Sequence, residues 1–82
     1  MDVSKIQEAI QSIRGVVDVH DLHVWTITSG FDAMSGHVTV SAGMPGYEIL
    51  ENINKILRDF FGIEHTTIQI EKERDDERRK NI

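Results

Sequence analysis

Apolar residues in this chain switch from a helical to a strand period and back, and that alternation fixes the order of elements any fold of it must accommodate. Val3, Ile6, Ile10 and Ile13 recur at helical spacing, which predicts a helix from about Ser4 to Arg14 that stops at Gly15. Ser4 with Gln7 three residues later matches a capping box, in which the hydroxyl satisfies an orphan amide at the helix start. From Val16 to Thr28 the composition turns β-branched, and Leu22, Val24 and Thr26 alternate with His23, Trp25 and Ile27, the pattern of a strand. Ser29-Gly30-Phe31-Asp32 reads as a turn. Val38 and Val40, alternating with His37, Thr39 and Ser41, make a second strand that would pair antiparallel with the first. After the break at Ala42-Gly43-Met44-Pro45-Gly46, a helix is predicted from about Tyr47 to Phe61. Ile49, Leu50, Ile53, Ile56, Leu57 and Phe60 line one of its faces, and Gly62 ends it. Thr66, Ile68 and Ile70 then alternate with Thr67, Gln69 and Glu71 in a third strand.

The order is therefore α-β-β-α-β. One apolar stripe per helix and alternating strands predict an α+β two-layer sandwich, with two helices on one face of a three-stranded sheet. At 82 residues the chain supports one core and no second domain. No run approaches the ~18–20 apolar residues of a membrane span, so no direct insertion of this segment is expected. The segment from 73 to 82 has no apolar period and mixed charges, and a disordered tail is expected there.

Charge narrows the partners. Residues 1–70 hold four bases (Lys5, Arg14, Lys55, Arg58) against nine acids (Asp2, Glu8, Asp18, Asp21, Asp32, Glu48, Glu51, Asp59, Glu64), so the whole net charge of −5 sits there. Such a field repels phosphate backbones and attracts cations, which argues against nucleic acid as a partner. There is no cysteine, so a bound metal would have to be held by imidazole nitrogens and carboxylate oxygens.

Strand parity supplies such groups. If Val38 and Val40 face the helices, His37 and Thr39 face away; with Leu22 and Val24 inward, His23 and Trp25 project outward, and with Ile68 and Ile70 inward so does Glu71. A lone strand histidine is ordinarily a solvated or hydrogen-bonded side chain. Here four histidines are spread over the three strand regions: His20 and His23 at the first, His37 on the second and His65 at the entry to the third. Adjacent strands carrying them could converge on one ion, although no compact H-x-x-x-H signature is present. An outward Trp25 is either covered by the tail or packs against a partner, a second copy of the chain being the natural candidate.

The run Val16-Val17-Asp18-Val19-His20-Asp21-Leu22-His23-Val24-Trp25-Thr26-Ile27-Thr28-Ser29-Gly30, with Ala33-Met34-Ser35-Gly36-His37-Val38, resembles the cytoplasmic C-terminal domain of the cation diffusion facilitators. So does Phe61-Gly62-Ile63-Glu64-His65 leading to Ile68-Gln69-Ile70-Glu71. The resemblance covers residues 3–72 and is strongest to the zinc and cobalt exporters. It implies a ferredoxin-like regulatory domain that hangs in the cytoplasm below a transmembrane transporter and forms a homodimer, tightened by cation binding. Family ligands carry over to His20, His37, His65 and Glu71, with His23, Asp21 and Glu64 as a second tier. Zn²⁺ is the expected ion, and Co²⁺, Cd²⁺ and Ni²⁺ suit the same donors. A second site that some members hold at the end of the last strand finds no histidine–aspartate pair here, and the histidine some members carry on the second helix is also missing.

Met1 followed directly by the first helix fits a piece taken from a longer transporter, with a free-standing relative as the alternative. The expected role is a non-catalytic, metal-sensing dimerisation module of a membrane transporter. Its rival is a metal-independent interaction module of the same fold. An enzyme is not expected, because a sheet with one bare face offers no sheltered pocket for an open metal position and a general base. The expected interface is an apolar strip of Trp25, Ile27 and Thr39. The first-tier ligands are expected to converge with Zn–N distances of ~2.0–2.1 Å.

Overall fold

The computed structural model describes residues 2–73. Its elements follow the order α1 (Val3–Gln11), β1 (Val16–Thr28), β2 (Phe31–Val40), α2 (Gly46–Phe61) and β3 (His65–Lys72). The sheet order is β1-β2-β3, with β1 antiparallel and β3 parallel to the central β2. A hairpin joins β1 to β2, and α2 is the crossover that lets β3 run parallel to β2.

Both helices pack on one face of this sheet, as the alternation requires. Ile6 and Ile10 of α1, Ile49, Ile53 and Leu57 of α2, and Val19, Met34, Val38 and Val40 of the strands form a single buried cluster that Ile63 completes. Phe60 is 78% exposed although it was placed on the apolar stripe; Phe61, four residues after Leu57, packs on the core instead. Gly62 closes α2 in the left-handed region at φ 69°, its amide donating to the carbonyls of Arg58 and Leu57. Ile63 follows with its own amide bonded to the Leu57 carbonyl, the hydrogen-bond pattern that a left-handed glycine permits.

The ends of α1 differ from the expectation. Asp2, not Ser4, is the N-cap: its carboxylate accepts from the Ser4 amide at 3.0 Å, which draws Ser4 into the first turn. Gln7 is thereby free of capping and donates from Nε2 to the Val19 carbonyl, while Gln11 donates to that of Val17, so both glutamines tie α1 to the edge strand β1. The helix stops at Gln11, before the predicted Arg14, and turns with i→i+3 bonds lead the chain into β1. The β1–β2 turn is also tighter than predicted, because Phe31 and Asp32 already pair with Thr28 and Thr26. Glu73 donates to the Val40 carbonyl, continuing the ladder past β3; the rest of the predicted tail lies outside the described residues. Among the described residues no helix is long and apolar enough to cross a membrane.

Candidate metal centre

A β-bulge decides which histidines share the open face of the sheet. His20 pairs with His37 and His23 with Ser35, so two residues of β1, Asp21 and Leu22, stand against one of β2. Asp21 absorbs the extra length with φ 52°. Leu22 is thereby returned to the core side, where Gly36 makes room: a Cβ at that position would lie 3.2 Å from Leu22 Cδ1 and 3.8 Å from its Cα. Val19 is buried and His20 points outward before the bulge; His23 and Trp25 point outward after it. If Asp21 acts only as this hinge, Asp21→Gly relieves the left-handed strain at the cost of a more flexible unfolded chain. The net expectation is a stability gain of about 0.5 kcal/mol with zinc affinity unchanged, read by thermal melts and calorimetry.

The strand pairing then assembles the cluster. His20 and His37 are cross-strand partners whose rings stack at 5.1 Å between centroids and 25° between planes. Thr39 pairs with Glu71, which puts that carboxylate one row along from the imidazoles. Glu71 Oε2 accepts from His37 Nδ1 at 2.5 Å, and Glu71 Oε1 lies 3.9 Å from His20 Nε2. Two further side chains hold the group: Asp18 Oδ2 accepts from His20 Nδ1 at 3.0 Å, and Gln69 Nε2 donates to Glu71 Oε2 at 3.3 Å. One donor atom from each of His20, His37 and Glu71 lies within 4.8 Å of the other two, a grouping not repeated among the described residues. Two imidazole nitrogens and a carboxylate oxygen are donors that zinc and its divalent neighbours accept, so the residues present fit such an ion.

The other candidates sit elsewhere on the same face. Asp21 and His23 line a shallow depression with Ser35, Gly36, His37, Thr67 and Gln69, directly beside the cluster. His65 does not join it. As the first residue of β3 it pairs with Ala33, in the row of Trp25, whereas His37 pairs with Gln69. Four residues of strand separate those rows, ~13 Å at ~3.3 Å per residue, and six separate His65 from Glu71. His65 and Glu71 of one protomer therefore cannot serve one ion, which corrects the expectation that all three histidines converge. Glu64 and His65 line a separate hollow with Trp25, Ile27, Ala33 and Thr67, and the His65 ring lies 6.4 Å from that of Phe31.

The expected apolar strip is divided as well. Thr39 is half-buried between Asp18 and Glu71 at the cluster's end of the sheet. Trp25 and Ile27 lie at the opposite end, joined by Phe31, and are 48% and 57% exposed. Phe31 was missed because the turn was read too long. Asp18 and Gln69 were missed too, yet each stands two residues before a candidate ligand on its own strand, and that spacing puts both on the ligand's face.

Comparison with known proteins gives consistent matches. The family model described as the cytoplasmic domain of cation efflux proteins matches residues 1–73. A probable zinc transporter protein of Dictyostelium discoideum is 49% identical over 72 residues, 88% of this chain and 13% of its own length. The cadmium, cobalt and zinc/H⁺-K⁺ antiporter of Bacillus subtilis is 40% identical over 75 residues, 89% of this chain and 24% of its own. Among solved structures, the metal-bound C-terminal domain of the CzcD transporter of Cupriavidus metallidurans superposes with a TM-score of 0.80 at 36% identity, covering 87% of this chain and 99% of that one. The chain thus spans a quarter or less of these curated relatives but nearly all of the solved domain.

Proposed function

Because the chain belongs to the family of cation efflux protein cytoplasmic domains, we propose that it is the metal-sensing, dimerising regulatory module of a divalent-cation efflux transporter, acting over residues 3–72. The observation that carries this reading is the cluster of His20, His37 and Glu71, whose donor atoms lie within 4.8 Å of one another on the helix-free face. An ion there would be held by strands from both ends of the sequence, and the open side of the cluster leaves positions for water or for a group from a second protomer. Zn²⁺ is the leading ion; Co²⁺, Cd²⁺ and Ni²⁺ bind the same donors, with affinities ordered largely by the Irving–Williams series.

Dimerisation follows from the same face. Trp25, Ile27 and Phe31 leave large apolar surfaces in water, and a two-fold contact covers the same patch on both chains at once. The net charge of −5 on each protomer opposes that approach, most strongly at low salt. Cation binding at the other end of the same face lowers the net negative charge of each protomer and so favours a closer dimer, a movement that the membrane part of a full-length transporter could read. Small-angle scattering and sedimentation at matched ionic strength should show a more compact dimer with zinc, at unchanged helix and strand content. An unchanged radius of gyration and association with zinc demonstrably bound would remove the switching mechanism and leave the metal site standing.

The rival reading, a metal-independent dimerisation module, is favoured by the distance between the apolar patch and the histidine cluster. Calorimetry separates the two: no heat on titrating Zn²⁺ near neutral pH would leave only the rival.

A further inference from the structure

Resting on the metal reading above, we propose that Asp18 is a positioning residue for that site: it holds His20 in the tautomer that keeps Nε2 free as the ligand atom. The His20 ring has two nitrogens in different surroundings. Nδ1 lies 3.0 Å from Asp18 Oδ2, whereas Nε2 faces the cluster, 3.9 Å from Glu71 Oε1. A carboxylate accepts hydrogen bonds and does not donate them, so the contact at Nδ1 requires the proton there. In the neutral imidazole that leaves the lone pair on Nε2, turned toward the site. Metal-binding histidines characteristically donate their remote N–H to a carboxylate in this way, which fixes ring orientation and raises ligand basicity.

Strand geometry makes the arrangement sturdy. Asp18 and His20 are two residues apart on β1 and precede the Asp21 bulge, so regular alternation sets both on the open face. His20 needs such support more than His37 does. Its side chain is 42% exposed against 34% for His37, it sits on an edge strand, and the contact holding its Nδ1 is the one from Asp18. His37 is already fixed by Glu71 on one side and by the His20 ring on the other. Asp18 itself is 60% exposed and contributes nothing to the core, so its replacement leaves the fold intact.

The test compares the unaltered chain with Asp18→Ala and Asp18→Asn. In the metal-free proteins, at a pH where the imidazoles are neutral, long-range ¹⁵N–¹H correlation spectra report which His20 nitrogen bears the proton. The unaltered chain should show it on Nδ1, and Asp18→Ala should show an averaged pair of tautomers. Asp18→Asn, whose amide oxygen can still accept, should retain the Nδ1–H form. Calorimetric zinc titration should then show affinity falling about 10-fold or more in Asp18→Ala and recovering for the greater part in Asp18→Asn. Unchanged His20 tautomer and zinc affinity in Asp18→Ala would overturn the assignment of Asp18 alone. An unaltered chain that takes up no zinc would overturn the metal reading on which it rests, while the spectra of the metal-free protein would still report the Asp18–His20 hydrogen bond.

Discussion

Alanine at His37 should weaken zinc binding by ~100-fold or more, and alanine at His23 by less than ~10-fold. His37 stands on the central strand between the other two members of the cluster. Its Nδ1 meets Glu71 Oε2, and its ring stacks on that of His20. Removing it takes away a donor and the surface that aligns the other two, so the loss should exceed the 10–100-fold typical of deleting an outer-shell partner. His23 points to the same side but lines the neighbouring depression, past the Asp21 bulge. His65→Ala should fall with His23 if one protomer supplies the site, because His65 lies with Ala33 and Trp25 at the far end of the sheet. Calorimetric titration of the three variants near neutral pH checks the ranking. Equal losses at His37 and His23 would mean that the ion sits in the depression and not at the cluster.

The elements were legible in the sequence because each has a clean period. The stripe Ile49, Ile53, Leu57 of α2 and the alternation Met34, Val38, Val40 of β2 are buried in the structure, and one cluster takes them all. What the period could not show is where it breaks. Counting back by twos from Val24 and Leu22 assigns His20 to the core side, yet it faces out, because Asp21 is an extra residue; counted without Asp21, alternation is regular from Val19 to Trp25. An aspartate is tolerated in the left-handed region better than most side chains, so the letter is compatible with a bulge without announcing one. The resemblance to a family picked out His20 where parity alone would have discarded it. The same resemblance placed His65 with the other ligands, but within one protomer strand length keeps them apart: Glu71 stands six positions along β3 from His65. The N-cap differs for a similar reason, since two polar residues flank the helix start and the earlier, Asp2, accepts from the amide of the later, Ser4.

Zinc should raise the melting temperature by about 11–22 °C at a free concentration a hundredfold above Kd. Binding only to the folded chain adds RT ln(1 + [L]/Kd), about 2.7 kcal/mol at that excess. In a domain of this size each kcal/mol moves the midpoint by about 4–8 °C. The sign with pH follows from the donor set. An imidazole nitrogen that carries a proton cannot ligate, so protons compete with the ion for His20 and His37, and the stabilisation falls as pH falls. Two imidazoles in the site make the loss steeper than one would. Once protons displace the ion from the imidazoles, Glu71 is the one donor of the cluster left to it, and a single carboxylate on an open face binds a divalent cation weakly. Scanning calorimetry at pH 7.5 and pH 5.0, with zinc and with chelator, measures the difference. His37→Ala should cut the shift to about 2–3 °C at pH 7.5 at the same zinc concentration, because a hundredfold loss of affinity brings [L]/Kd to about one and the added stability to about 0.4 kcal/mol. A shift of equal size at both pH values would mean that carboxylates hold the ion without the histidines.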